Sequence, residues 1–222
     1  MQTALNSNEL KKKIKISEIF YSIQGEASST GLPTTFIRLS GCPLRCAYCD
    51  TEHAFSDGSY LEIAEIIKKV SAINTKNICV TGGEPLAQKN CLALLDELCN
   101  KKYTVSLETS GAFDVKDVNP KVIKVLDIKT PSSGESNKNL NTNINYLKPN
   151  DCLKVVICNR ADYDWAINFI TQNNKIPCEV YFSPSHNDLQ SKKLANWILK
   201  DNAPVRLQLQ IHKFIWGNER GR

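Results

Sequence analysis

Four polar segments of this chain, TGGEP at 81–85, ETSG at 108–111, DIKTPSSG at 127–134 and SPSH at 183–186, each follow an apolar run of strand length. Those runs are 77–83, 103–111, 121–129 and 178–185, and residues 34–40, 152–158 and 205–215 share their strand character. Between them, residues 60–72, 89–101, 162–174 and 189–201 place apolar side chains at helical spacing. Strands separated by single helices pair in parallel through right-handed crossovers, because a twisted strand feeding a right-handed helix packs back onto its sheet only that way. The chain is therefore read as α/β, with about six parallel strands in an incomplete barrel or an open doubly wound sheet. Such sheets bind ligands at the carboxyl ends of their strands, so the four polar segments should converge on one site. The Asn-rich stretch 131–150 reads as a surface excursion carrying little of the core.

A length of 222 residues suits one large domain, and no Pro-, Gly- or Ser-rich linker divides it. The expected organisation is a basic N-terminal extension at 1–14 and a single domain at 15–222. No apolar run approaches a membrane span. Lys11, Lys12 and Lys13 are not followed by the apolar stretch of a secretory leader. A soluble cytoplasmic protein is expected, with no membrane partner. The net charge of +5 suits an anionic small ligand as readily as nucleic acid. No basic and aromatic stripe runs through the chain, so nucleic acid is not an expected partner.

Nine cysteines cannot form a complete internal disulfide set, and clustered thiols in a reducing compartment favour metal or catalysis. Cys79, Cys91, Cys99, Cys152, Cys158 and Cys178 are scattered in apolar strings and read as small buried hydrophobes. Cys42, Cys46 and Cys49 are not scattered: they sit in GCPLRCAYCDT, three residues and then two apart. Three thiolates so close on a loop can hold one iron–sulfur cubane and leave its fourth iron open to a chelating ligand. Zinc is the competing reading, with His53 as a fourth ligand. The aromatic Tyr48 before the third cysteine and the glycine loop downstream favour the cluster.

The segment CPLRCAYCD resembles the CxxxCxxC signature of the radical S-adenosylmethionine (SAM) superfamily, and TGGEP resembles that superfamily's glycine motif. The stretch EIFYSIQGE at 18–26, with Gly31, FIRL at 36–39, the CDT after the cluster, ETSG and the closing LQLQIHKFIWGN, is similar to the 7-carboxy-7-deazaguanine synthase family of queuosine biosynthesis. The similarity runs from about residue 15 to the end of the chain. It implies a trimmed, roughly six-stranded radical SAM barrel and a carbon–nitrogen lyase. The implied reaction contracts 6-carboxy-5,6,7,8-tetrahydropterin to 7-carboxy-7-deazaguanine with loss of ammonia. A 5′-deoxyadenosyl radical takes hydrogen from C6 of the pterin and later returns it.

The resemblance also implies cofactors, partners and roles. A 4Fe–4S cluster would sit on Cys42, Cys46 and Cys49, and Mg2+ on Thr51. SAM would meet Tyr48, Cys49, Asp50, Gly82, Gly83 and Glu84, then Glu108, Ser110, Asp127, Ile128 and Lys129, and finally Ser183, Pro184, Ser185 and His186. The Glu84 carboxylate would suit the methionyl ammonium. Substrate would meet Ile23, Gln24, Gly25, Glu26, Arg38 and Thr81, with Arg38 gripping a carboxylate by its guanidinium fork. Trp216 would stack on the pterin where relatives present a proline. A flavodoxin or ferredoxin type electron donor and a homodimer are implied too. Two departures stand out: Ala27 replaces the glycine usual after QGE, and Asp127-Ile128-Lys129 replaces Ser-Pro-Lys. The competing functions are a glycyl-radical activase, which lacks the QGE segment, and a zinc-stabilised RNA-binding module.

Overall fold

The first strand, β1 (Lys13–Ile23), runs antiparallel to two neighbours, β2 (Pro33–Leu39) and β3 (Ser59–Glu62). Its alternation buries Ile14 and Ile16 and leaves Lys13 and Lys15 more open, as a half-buried strand requires. The computed structural model describes residues 7–173, 175–186, 188–217 and 219–222.

From β2 onward every pairing is parallel. β4 (Asn77–Gly82), β5 (Thr104–Thr109), β6 (Ile123–Ile128), β7 (Cys152–Ile157), β8 (Glu179–Pro184) and β9 (Arg206–Leu207) follow in spatial order. The sheet order is β3-β1-β2-β4-β5-β6-β7-β8-β9. Among the described residues no pairing joins β9 back to β3, so the sheet stays open as a partial parallel β/α barrel. β2 and β4 to β8 supply the six full-length parallel strands expected from the sequence.

Three helices are set by simple rules. α1 (Ser7–Leu10) is a single turn before β1, and α2 (Ile63–Ser71) follows β3. α2 starts at a capping box, in which the Glu65 carboxylate accepts from Glu62 N at 2.8 Å. It buries Ile63, Ile66, Ile67 and Val70, one stripe of a 3.6-residue period. α3 (Cys91–Asn100) buries Cys91, Leu94, Leu95 and Leu98 in the same way. α4 (Arg160–Gln172) is capped by the Asn159 side chain, which accepts from Asp162 N. α5 (Ser191–Lys200) and the short α6 (Ile211–Trp216) complete the chain.

Four expectations are corrected. The helix expected over 60–72 begins at Ile63, because Ser59–Glu62 pairs with β1 as β3. The strand expected over 205–215 shrinks to β9, and its second half turns into α6 after Gln208 and Gln210, whose side chains bond Ala27 and Glu26. The extension expected at 1–14 ends sooner: Ile14 is fully buried in β1, while residues 1–6 lie outside the described residues. The excursion 131–150 contributes to the core. Ile144 and Leu147 are buried, and fully buried Asn143 donates to the carbonyls of Gly111 and Phe113 and accepts from Val115 N. With no α-helix between β5 and β6, and only three short 3-10 helices between β6 and β7, this segment, together with Val115, Val118 and Val122, covers the sheet there.

Candidate active site

The carboxyl ends of the parallel strands open into a cleft of about 390 Å³, in the range of small-molecule sites. Thr81 and Gly82 reach it from β4, Glu108 from β5, Asp127 from β6, Lys154 from β7 and Ser183 from β8. The polar segments that sequence places far apart do converge.

The cysteine loop forms one wall, and its shape is fixed by the backbone. Gly41 N donates to Ala54 O at 2.7 Å, Ala47 N to Ser133 O at 3.0 Å and Glu84 N to Gly41 O at 2.9 Å. The Arg45 guanidinium closes the turn on the carbonyls of Cys42 and Leu44, both at 2.7 Å, and lies 4.2 Å from the Phe55 ring centroid. Leu44 is buried, whereas Cys42, Cys46 and Cys49 are free, half-buried and face the cleft. Burial pushes the Cys46 thiol up to about 11, against the pull of Lys129. Gly83 lies against this loop: a Cβ there would stand 2.4 Å from Gly41 O and 2.8 Å from Cys42 Cβ.

These residues suit a cluster better than a zinc ion. His53 turns its Nε2 to Glu18 at 3.5 Å instead of completing a four-ligand set. Among the described residues no three His, Cys, Asp or Glu side chains are drawn onto the point a single ion needs. Three separate thiols on one open wall match one thiolate per iron. Cleft-side polar atoms await a ligand: Asp127 Oδ1 and Ser183 Oγ are buried without a protein partner among the described residues. They lie on the side where SAM is expected, with Tyr48, Asp50, Ser110, Lys129, Pro184, Ser185 and His186 also on the cleft. Thr51 lines it too, its hydroxyl engaged only weakly with Cys49 Sγ at 3.9 Å, which leaves an oxygen for a hard cation such as Mg2+.

The other expected residues divide. Ile23, Gln24, Gly25, Glu26, Arg38 and Thr81 all line the cleft. Arg38 is no surface arginine: its side chain is 16% exposed, its Nε donates to Glu18 at 2.6 Å, and it lies 5.7 Å from the Phe20 ring. Phe20 stacks on Phe36 at 4.8 Å and makes the apolar wall beside it. Glu108, expected beside SAM, bonds two residues expected to meet substrate, accepting from Gln24 Nε2 at 3.2 Å and Thr81 Oγ1 at 2.8 Å.

Three assignments are corrected. Glu84 is fully buried and holds loops together: its carboxylate accepts from Thr109 Oγ1 at 2.8 Å, Ser110 N at 2.7 Å and Leu86 N at 2.9 Å, and it does not line the cleft. Ile128 points into the core because strand alternation turns only its neighbours Asp127 and Lys129 to the cleft. Trp216 does not line the cleft; the Arg222 guanidinium lies 5.4 Å over its ring.

Residues not anticipated take its place. The segment before and in α6 brings Gln210, His212 and Lys213 to the cleft, and β7 brings Lys154. Gln210 Nε2 donates to Glu26 Oε1 at 2.7 Å, and Lys213 Nζ to Asp50 Oδ2 at 2.9 Å. His212 packs on Gly25 so closely that a Cβ there would meet its Nδ1 at 2.0 Å. The sequence signal for Lys154 was a single charge in an otherwise apolar strand; the signal for the others was the polar alternation of LQLQIHK.

The chain matches the radical SAM superfamily across residues 36–175. It is 44% identical to the 7-carboxy-7-deazaguanine synthase of Chlorobaculum tepidum, over 91% of this chain and 94% of that protein. It is 40% identical to the 7-carboxy-7-deazaguanine synthase of Koribacter versatilis, over 93% and 98%. Its fold is similar to the crystal structure of QueE from Escherichia coli, with a TM-score of 0.76 and 22% identity over 89% of this chain and 94% of that one.

Proposed function

Because the chain belongs to the radical SAM superfamily and, within it, to the 7-carboxy-7-deazaguanine synthase family, we propose that it contracts 6-carboxy-5,6,7,8-tetrahydropterin to 7-carboxy-7-deazaguanine with loss of ammonia. One observation carries the reading from the site itself. A single cleft has three free thiols and the Gly82–Gly83 turn on one wall, and Gln24, Glu26, Arg38 and Glu108 on another.

Cys42, Cys46 and Cys49 are the residues that would hold a 4Fe–4S cluster, which when bound would supply the electron for reductive cleavage of SAM. The chain's own residues bind and orient. Gly83 lets the SAM-side turn approach the cysteine loop without a side chain between them. Asp127 and Ser183 offer unpaired oxygens to SAM donors. Glu26 and Glu108 offer acceptors to the amino-pyrimidinone edge of a pterin, and Arg38, held from behind by Glu18, offers its remaining N–H groups to the carboxylate. Phe20 and Phe36 keep water from that side of the ring.

The reading includes Mg2+ on Thr51, a flavodoxin or ferredoxin type electron donor, a homodimer and a cytoplasmic location. Exposed Phe214 and Ile215 on α6 give a second copy apolar surface to meet. The test is anaerobic incubation of cluster-loaded protein with SAM, a reductant and the carboxylated tetrahydropterin, followed by mass spectrometry. The absence of a product lighter than the substrate by one ammonia ends the proposal; deuterium from C6 appearing in recovered SAM supports it. One SAM consumed per turnover would point to the activase instead.

A further inference from the structure

Lys154 is the one charged residue in the strand CLKVVI, and β7 pins its direction. Leu153 and Val155 are fully buried in the core, so the period of two turns Lys154 and Val156 to the cleft, which both line. An ammonium kept there, with its side chain only 12% exposed, needs partners. Its Nζ bonds Glu26 Oε2, whose side chain is 9% exposed, and stands 3.9 Å from Asp127 Oδ2. Asp127 has a closer cation of its own, Lys129 at 3.2 Å. Among the described residues Lys154 is the only cation salt-bridged to Glu26; the other carboxylate oxygen accepts from the neutral amide of Gln210.

We propose that Lys154 is a positioning residue for the reaction: it neutralises Glu26 in the cleft wall and so keeps that carboxylate an anionic acceptor for the N–H donors of the pterin's amino-pyrimidinone edge. The inference rests on the pterin reading of the cleft. A protonated Glu26 would present an O–H donor to a donor edge, losing the bond and leaving a buried polar group unpaired. Among the described residues Glu26 is faced by Lys154 from β7, Asp50 from the cysteine loop, Gln210 and His212 from the C-terminal segment and Gln24 from its own turn, with Glu108 and Asp127 beyond Lys154. Burial raises the Glu26 pKa and Asp50 adds to that, while Lys154 outweighs both and brings it below the ordinary carboxylate value. His212 is a weak substitute cation, since burial lowers its own pKa. Without Lys154 only the weak pull of His212 opposes the two raising effects.

The experiment measures equilibrium affinity for the carboxylated tetrahydropterin on anaerobic, cluster-loaded enzyme without SAM, from pH 6 to 9. Wild type and Lys154→Arg should give flat profiles. Lys154→Met should bind about tenfold more weakly at pH 6 and recover as Glu26 ionises with rising pH. The double variant Lys154→Met with Glu26→Gln should be flat, having nothing left to titrate. Cluster absorbance and SAM affinity report that Lys154→Met is folded, because Asp127 keeps Lys129. A Lys154→Met profile parallel to that of wild type sinks the inference while leaving the pterin reading intact, provided wild type still forms product. Failure of wild type to bind or convert the pterin removes both.

Discussion

Ala27 shows what one methyl group decides. The backbone at Ala27 has φ 60°, in the left-handed region, where an L-residue costs roughly 1–2 kcal/mol. Three contacts hold it there. Ala27 N donates to Gln208 Oε1 at 2.8 Å, its carbonyl accepts from Thr30, and its methyl packs with Val125, Cys152 and Tyr181. Ala27→Gly would relieve the strain, but lose about 0.8 kcal/mol of methyl burial and add unfolded-chain entropy. These terms nearly cancel, so chemical denaturation should find Ala27→Gly within about 1 kcal/mol of wild type. Ala27→Val, β-branched at positive φ, should lose several times that. A large loss in the glycine variant would mean the methyl matters more than the backbone. The cysteines divide on the same scale. Cys46→Ala should abolish iron–sulfur absorbance, while fully buried Cys91→Ala should keep it and lower stability by about 1–2 kcal/mol. Bleaching by Cys91→Ala alone would mean the ligand set is misassigned.

At the scale of elements, the segment 208–213 shows why half the site was legible in the sequence and half was not. Loops after strands were readable, because a parallel sheet sends all its carboxyl ends to one side: TGGEP, ETSG and SPSH sit where strand position alone puts them. The fate of LQLQIHKFI was not, because its polar alternation fits a strand and is used instead as a tether, Gln208 to Ala27, Gln210 to Glu26 and Lys213 to Asp50, before the chain turns into α6. No local rule reports partners 163 to 184 residues away. Glu84 misled for a related reason: a carboxylate beside a glycine turn suits a ligand, yet here three neighbouring donors claim it. The tether carries a pH dependence. Desolvation raises the Asp50 pKa, and Lys213 and Gln210 more than reverse this, leaving it at about 2. An unfolded aspartate titrates near ~3.9, so the contribution is complete above about pH 5 and fades as pH falls toward 2. Asp50 is 48% exposed, so solvent screening limits the pair to about 0.5–1 kcal/mol. Asp50→Asn should therefore speed amide exchange in Ile211–Trp216 by roughly two- to fivefold at neutral pH, with the protein core unaffected. An unchanged α6 would show that Gln208 and Gln210 hold it alone.

The whole molecule is an open sheet whose two ends face each other across the cleft and touch through a small set of contacts. β1 and its QGEA turn belong to the first part of the chain, Ser183–His186 and the α6 segment to the last, and the cysteine loop spans neither. Direct bonds between the ends are few and polar, chiefly Gln208 to Ala27 and Gln210 to Glu26. A ligand lying along the cleft touches residues from both ends at once and binds only where they have been brought together, so its affinity becomes folding stability. SAM at about a hundred times its Kd should add about 2.7 kcal/mol. For a chain of this size each kcal/mol is worth about 2–4 °C, so the cluster-loaded protein should melt roughly 5–10 °C higher with SAM. On the proposed reading, cluster-free protein would keep only the SAM contacts expected around Asp127 and the 183–186 loop, and the same SAM concentration should move its Tm by no more than about 2 °C. Anaerobic thermal scans of both forms, with and without SAM, make the comparison. Equal shifts in the two forms would mean that the methionyl end does not reach the cysteine wall, and would separate the thiols from the SAM site that Gly83 places beside them.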